Sequence, residues 1–105
     1  MNFQFELAGI SHRHADYVLA NVQRGDALTL KCEPTNKFDP NAIMVFKDNI
    51  QIGYVPKTHT LLLKAAVLSD RVTSHADAVW PRGCWVNVHV KPKEPDEPTE
   101  NRAVA

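Results

Sequence analysis

Two short segments carry the side chains best suited to chemistry. Residues 33–42 read Glu-Pro-Thr-Asn-Lys-Phe-Asp-Pro-Asn-Ala, and residues 53–57 read Gly-Tyr-Val-Pro-Lys. The first segment joins two apolar runs and displays Asn36, Phe38 and Asp39 side by side on a backbone stiffened by two prolines. An amide, an aromatic ring and a carboxylate in this arrangement are equipped to hold the end of a nucleic-acid strand, and the second segment adds a tyrosine and a lysine.

The same turn has a purely structural interpretation. Asparagine and aspartate side chains accept hydrogen bonds from nearby backbone amides in turns, and proline presets φ. Composition alone favours this interpretation of residues 33–42. Phe38 argues against it, because an aromatic ring in a polar turn either folds back onto the core or lies exposed as a stacking surface.

Length and composition predict one small domain. The 105 residues, 44% hydrophobic and 23% charged, suffice for a single core. No apolar run approaches the roughly 20 residues that cross a bilayer, and the N-terminus lacks the basic and apolar regions of a signal peptide. Cys32 and Cys84 lie far apart in strand-like runs, which favours buried, reduced thiols. We therefore expect a cytoplasmic protein that has no contact with a membrane.

The formal net charge of zero hides an uneven distribution of charge. Residues 92–105 contain four acids and two bases, which leaves ten bases and eight acids in residues 1–91. This balance excludes the strongly basic surface of a protein that grips a long duplex, so any nucleic-acid contact should be small. Because residues 92–105 are rich in proline and acids and poor in apolar side chains, we predict a domain at 1–91 followed by a disordered tail.

The pattern of apolar and polar residues predicts a mainly β fold with two short helices. Period-two alternation marks six candidate strands, at residues 3–7, 26–33, 42–46, 50–55, 71–80 and 84–90. Helices are predicted at 15–23, which precedes a C-terminal glycine, and at 58–69. Short strands joined by hairpin turns are typical of a small curled sheet or barrel.

The second predicted helix begins with threonines suited to capping its N-terminus. Its apolar residues share one stripe, formed by Leu61, Leu62, Ala65 and Leu68. We interpret that stripe as packing against the core and not as a partner site.

Five histidines invite a metal site or a catalytic base. His12 and His14 flank Arg13 in a predicted loop, and His59 begins a helix. The chain has no Cys-x-x-Cys, no His-Glu-x-x-His, no nucleophile elbow and no phosphate-binding glycine loop. We expect no catalysis, no cofactor and no metal. A small metal protein that brings the cysteines and histidines together by folding stays open as an alternative.

The chain resembles the HIRAN domain family. The resemblance begins with Ala-Gly-Ile at 8–10 and continues through residues 25–30. Its main signature is the whole of 33–43, followed by Ile-Gly-Tyr-Val-Pro-Lys at 52–57 before a helix. These two segments at this spacing are more specific than a lone glycine motif. The resemblance implies an OB-like β-barrel of about six strands with two helices, in agreement with the strand pattern.

In that family the characterised activity is binding the 3′ end of single-stranded DNA. The resemblance places an end pocket and its neighbours at Asn36, Phe38, Asp39, Tyr54 and Lys57. Asp39 would accept a hydrogen bond from a free 3′-hydroxyl and repel a 3′-phosphate. Phe38 would stack on a terminal base for about 1–3 kcal/mol, and Lys57 would pair with a backbone phosphate.

The chain departs from the family pattern at two places. Phe38 and Lys37 stand where the signature has tyrosine and proline, so the ring keeps its stacking face and loses the hydroxyl. Residues 11–14 read Ser-His-Arg-His where the DNA-binding members place an arginine and aromatics, and we expect His12 and Arg13 to substitute for them.

The resemblance implies a role in DNA repair, replication or related DNA processing. The expected partners are single-stranded DNA and a helicase or another DNA-processing protein. The alternative is a protein-interaction adaptor that binds no DNA.

Overall fold

The computed structural model describes residues 1–9, 12–81 and 83–92, without the side chains of residues 12–15. The elements, in chain order, are β1 (Asn2–Glu6), α1 (His12–Asn21), β2 (Ala27–Cys32), β3 (Ile43–Lys47), β4 (Ile50–Tyr54), α2 (Lys57–Leu68), β5 (Val72–Trp80) and β6 (Gly83–Val90). The predicted mainly β fold with two short helices is confirmed. The predicted tail lies, beyond Pro92, outside the described residues. Neither helix is long and apolar enough to cross a membrane.

The six strands form one antiparallel sheet in the order β1-β6-β5-β2-β3-β4. The two edge strands of this order meet just beyond β1, where Ala8 and Tyr54 form a bridge. Each N–H of this pair donates to the carbonyl oxygen of the other, at 2.8 and 2.7 Å. This bridge joins the two edges of the curled sheet, which forms an OB-like half-barrel.

The concave side of the sheet holds the core. Alternate residues of paired strands face inward, as Phe5 opposite Val86 and Leu30 opposite Val45 show. Cys84 is completely buried there, and desolvation raises the pKa of its thiol to about 11. Cys32 is only half-buried, so the prediction of a buried thiol is met by Cys84 alone.

Helix α2 packs against the core with a different face from the one predicted. Its buried residues are Thr60, Leu63 and Ala66. Its larger apolar side chains are exposed, at 73% for Leu61, 63% for Leu62 and 66% for Leu68. The interpretation of the leucine stripe as core packing was therefore wrong.

The prediction failed because Thr60, a polar residue, lies on the buried face of α2. Its hydroxyl donates to the backbone carbonyl of Lys57 at 3.2 Å, so the side chain enters the core with its hydrogen bond made inside the helix. Threonine and alanine are also small enough to let the helix approach the sheet closely. The predicted threonine cap was wrong as well, because Pro56 occupies the N-cap and makes no side-chain cap bond.

Helix α1 begins earlier than predicted, at His12. His12 and Arg13 therefore lie in the first turn of a helix and not in a loop. The helix ends at Asn21, and Gly25 follows with φ of +92°, a left-handed conformation that favours glycine. No proline or glycine interrupts residues 12–24, so nothing within this segment opposes a helix that begins at His12.

Candidate nucleic-acid interface

The turn between β2 and β3 is held together by its own side chains. The Oδ1 of Asn36 accepts hydrogen bonds from the backbone N–H groups of Phe38 and Asp39, at 2.8 and 2.9 Å. Its Nδ2 donates to Oε1 of Glu33 at 2.8 Å. The Oδ1 of Asp39 accepts from the N–H of Asn41 at 2.9 Å. The asparagine and the aspartate thus do what the structural interpretation of this turn expects.

Phe38 nevertheless does not fold back onto the core. Its side chain is 92% exposed at the tip of the turn. The two hydrogen bonds to Asn36 fix the backbone N–H groups of Phe38 and Asp39. The backbone that carries the ring is therefore held in place. The structural interpretation of the turn is therefore correct for Asn36 and Asp39, and the same turn leaves the Phe38 ring exposed.

Tyr54, the last residue of β4, forms the back of the site. Its hydroxyl donates to Oε1 of Glu33 at 2.9 Å, the oxygen that also accepts from Asn36. One carboxylate oxygen therefore ties β4 to the β2–β3 turn. Glu33 belongs to the quoted signature, but sequence reasoning gave it no role, and its place at the end of a strand before a proline was the only signal available.

The predicted site residues line one cavity of about 320 Å³. Five of the seven predicted residues face it, namely Asn36, Phe38, Asp39, Tyr54 and Lys57. Apolar or backbone surface completes the lining at Ala8, Gly9, Ala42, Val55 and Pro56. The other two, His12 and Arg13, have side chains outside the described residues. Aromatic and apolar walls with a few polar groups are typical of ligand sites.

The seam that closes the half-barrel also builds this cavity. Gly53 lies so close to the opposite edge that a Cβ on it would come within 2.7 Å of the carbonyl oxygen of Ala8. Gly9 has φ of +66°, and a Cβ there would lie 3.1 Å from the ring of Tyr54. Both positions require glycine, because the edges approach too closely for a side chain. Residues 8–9 and 53–57 of the resemblance therefore meet in space.

Helix α2 brings positive charge to the same place. Lys57 is its first residue and lines the cavity with an exposed side chain. The partial positive charge of the helix N-terminus adds to that of the lysine. Lys64, two turns further along the same face of α2, donates from Nζ to Oδ1 of Asn41 at 2.7 Å and so also contacts the turn. Sequence reasoning did not single out Lys64, since the contact spans distant parts of the chain.

The other candidate chemistry does not assemble among the described residues. Within them, no three histidine, cysteine or acidic side chains lie close enough together to hold a metal ion. His59 packs its ring against those of Phe5 and Phe3, with centroids 5.6 and 6.4 Å away. Cys84 is enclosed in the core. These groups serve the packing of α2 and the sheet.

Two solved structures share the fold of this chain, and a family model matches its sequence. The HIRAN domain of human HLTF matches with a TM-score of 0.67 and 16% identity over 83% of this chain and 72% of that one. A protein from Lactobacillus plantarum matches with a TM-score of 0.66 and 15% identity over 84% and 95%. At these identities the likeness is one of fold, and no curated protein sequence matches the chain. Because the family model of the HIRAN domain matches residues 1–91, the chain belongs to the HIRAN domain family.

Proposed function

We propose that this domain is a non-catalytic module that binds the free 3′-hydroxyl end of single-stranded DNA. One observation carries the proposal: the cavity beside the β2–β3 turn gathers an exposed ring, a carboxylate and a lysine ammonium. These groups match the three parts of a strand end, which are a base, a terminal hydroxyl and a phosphate. Membership of the HIRAN family supports the same assignment.

Phe38 supplies the stacking surface. Its ring is almost completely exposed, so both the cost of leaving it in water and the gain from covering it are large. Stacking of one base on an aromatic ring contributes about 1–3 kcal/mol and tolerates any base. Because the hydrogen bonds of Asn36 hold the turn in place, little ordering is needed when the base arrives.

Asp39 supplies the selectivity for a hydroxyl end. Its Oδ1 is occupied by the N–H of Asn41, whereas its Oδ2 has no hydrogen bond to any residue in the described part of the chain. That oxygen can accept from a 3′-hydroxyl, which is a charge-assisted bond. A 3′-phosphate in the same place would set negative charge against the carboxylate.

Lys57 supplies the phosphate contact. Its side chain lines the cavity and belongs to the first residue of α2, at the positive end of the helix. A single lysine gives a weak, salt-dependent contact, with a slope of about −0.7 in log affinity against log salt for each phosphate of a single strand. The binding is therefore local and geometric, as the near-neutral charge of the chain requires.

The wider setting follows from the same activity. A module that marks free 3′ ends suits DNA repair or replication beside a helicase or another DNA-processing protein. We place it in the cytoplasm, where thiols such as Cys32 stay reduced. We assign the binding domain to residues 1–91 and regard 92–105 as a disordered tail outside it.

The decisive experiment compares labelled oligonucleotides that differ only in a 3′-hydroxyl or a 3′-phosphate. We expect the protein to prefer the hydroxyl end in fluorescence anisotropy, and Asp39→Asn to lose that preference. This variant retains an oxygen for the N–H of Asn41, so it changes the charge without removing the turn bond. Equal binding of both ends by the unmodified protein would overturn the proposal.

A second candidate function is a protein-interaction adaptor. The observation that favours it is the leucine face of α2, where Leu61, Leu62 and Leu68 are each more than 60% exposed. Such a face stabilises a complex when a partner covers it. Absence of any binding to a short single strand at low salt would favour this adaptor over the DNA-binding module.

A further inference from the structure

Helix α2 presents its leucine face to the outside of the domain. Leu61, Leu62 and Leu68 are exposed there, and the exposed Ala65 lies between them. With 3.6 residues per turn, the three leucines lie within roughly 60° of Ala65, on the side of the helix opposite the buried Leu63. None of the residues of this face lines the cavity beside the β2–β3 turn. An apolar helix face in this position is a candidate surface for another protein chain.

No charged side chain interrupts this face of the helix. The side chain of Lys57 lines the cavity beside the turn, and the ammonium group of Lys64 donates to Asn41. His59 is half-buried, with its ring 5.6 Å from that of Phe5. Two identical copies bring identical charges together, which opposes self-association wherever a surface is charged. The leucine face is free of that repulsion.

The spacing of the face is complementary to itself. Leu61 and Leu68 are seven residues apart, so they lie on one stripe of the helix with Ala65 between them. When two such stripes pack antiparallel, Leu61 of each copy faces Leu68 of the other, and the same contact is made twice. Ala65 then lies near the two-fold axis, where its small side chain lets the two helices approach closely.

The two ends of the helix favour the antiparallel direction. Lys57 begins α2 and adds to the partial positive charge of its N-terminus. Asp70 follows the C-terminus, where the partial charge is negative. The guanidinium group of Arg71 donates to the carbonyl oxygen of Lys91 and to the hydroxyl of Ser69, so it is engaged within its own domain. An antiparallel pair therefore sets ends of opposite charge side by side, whereas a parallel pair sets like against like.

We propose that the leucine face of α2 binds the same face of a second copy of this chain, with the two helices antiparallel. This inference does not depend on the proposed function, and it names one occupant for the leucine face. The face is about 18 Å long and about 10 Å wide, well below the about 800 Å² per partner of a standard interface, so the dimer forms only at high protein concentration. Because the face lies outside the cavity, both cavities stay open in the dimer.

The test measures association of the full chain by sedimentation velocity at about 10 µM to 1 mM, the range that a small interface requires. The dimer fraction of the unmodified protein is expected to rise with concentration. Leu68→Glu should raise the dimer Kd more than about tenfold, because each dimer then places two carboxylates in apolar contacts. Leu19→Glu puts the same charge on the exposed leucine of α1 and should leave the dimer Kd unchanged.

A mixing experiment tests the direction of the two helices. Leu61→Lys alone should associate as poorly as Leu68→Glu alone. An equimolar mixture of the two variants should recover the dimer, since the antiparallel pair sets the new lysine of one copy against the new glutamate of the other and keeps one pair of leucines. A parallel pair would set each new charge against a leucine, and the mixture would stay monomeric.

Thermal unfolding of each variant reports whether it is folded, and Leu68→Gln decides if the charged variants are not. A protein that stays monomeric over the whole range would overturn the proposal, as would a dimer that Leu68→Glu and Leu68→Gln leave intact. Failure of the mixture to recover the dimer, with both variants folded, would overturn the antiparallel arrangement. Binding of a short single strand by Leu68→Glu should equal that of the unmodified protein, so the test separates this surface from the cavity beside the turn.

Discussion

Two regions of this domain expose large apolar side chains, and they do so in opposite ways. The β2–β3 turn displays Phe38 on a support of side-chain hydrogen bonds, beside the Asp39 carboxylate and within a cavity. Helix α2 displays its leucines on a regular helical face outside that cavity. The comparison teaches that exposure alone does not identify a ligand, because the polar groups around an apolar side chain determine what can cover it.

The first region combines an aromatic ring, a carboxylate and a lysine in one cavity. Under the proposed function, each of these groups contacts a different part of a nucleotide. The second offers only apolar surface, which fits another apolar surface. The difference can be measured by truncating one side chain in each region.

The largest effect is expected from Phe38→Ala. Loss of one stacking surface should weaken binding of a single strand about 5- to 150-fold, from about 1–3 kcal/mol of stacking. The free energy of unfolding should stay within about 0.5 kcal/mol, since the ring is exposed. Anisotropy and urea unfolding measure the two quantities.

Leu62→Ala is the matched control in the second region. It removes a similarly exposed apolar side chain and should change the Kd by less than about twofold, in line with small effects of surface substitutions. The comparison breaks if Leu62→Ala weakens binding as much as Phe38→Ala does, because the leucine face would then belong to the DNA-binding surface.

The contrast also shows how far the sequence could go. Alternation along β2, β3 and β6 predicted that these segments are strands, because each strand has one buried face and a period of two. The same logic failed for α2. Because α2 has two apolar stripes, its sequence alone does not determine which of them packs against the sheet. In the structure, the buried stripe is formed by Thr60, Leu63 and Ala66.

The candidate site likewise contains residues that the sequence could predict and residues that it could not. Asn36 and Asp39 could be predicted because turn chemistry and family resemblance point to the same residues. Glu33 and Lys64 could not, because their roles depend on contacts that span β4 and α2.

The next effect tests whether the support of the ring matters as much as the ring. Asn36→Ala removes the acceptor of two backbone N–H groups and the donor to Glu33. We expect a loss of about 1–2 kcal/mol in stability, because water replaces these half-exposed bonds only in part. Binding should weaken as well, since the turn that presents Phe38 is no longer fixed.

Asn21→Ala is the control for that change. Within the described part of the chain, Asn21 makes one side-chain bond, from Nδ2 to the backbone carbonyl of Tyr17, and it does not line the cavity. It should cost less stability and leave the Kd unchanged. Normal DNA binding by Asn36→Ala would show that the ring needs no rigid support. The turn would then differ from the helix only in the polar groups beside its exposed ring.

A smaller effect is expected where Tyr54 meets the turn. Tyr54→Phe deletes the hydroxyl that donates to Glu33 and keeps the ring that lines the cavity. The expected loss is about 0.5–1.5 kcal/mol in urea unfolding, the usual net contribution of one hydrogen bond. A matching loss in Glu33→Ala, with no further loss in the double variant, would locate the effect in this contact.

The smallest effect concerns the lysines that flank the turn. Lys57→Ala should lower the steepness of log affinity against log salt by about 0.7, the contribution of one phosphate of a single strand. Lys64→Ala removes a cation held by Asn41 and serves as the comparison. If Lys64 only braces the turn, its variant keeps the full salt slope and loses a little stability. An equal drop in slope for both variants would extend the phosphate path along α2 toward the leucine face and join the two regions into one surface.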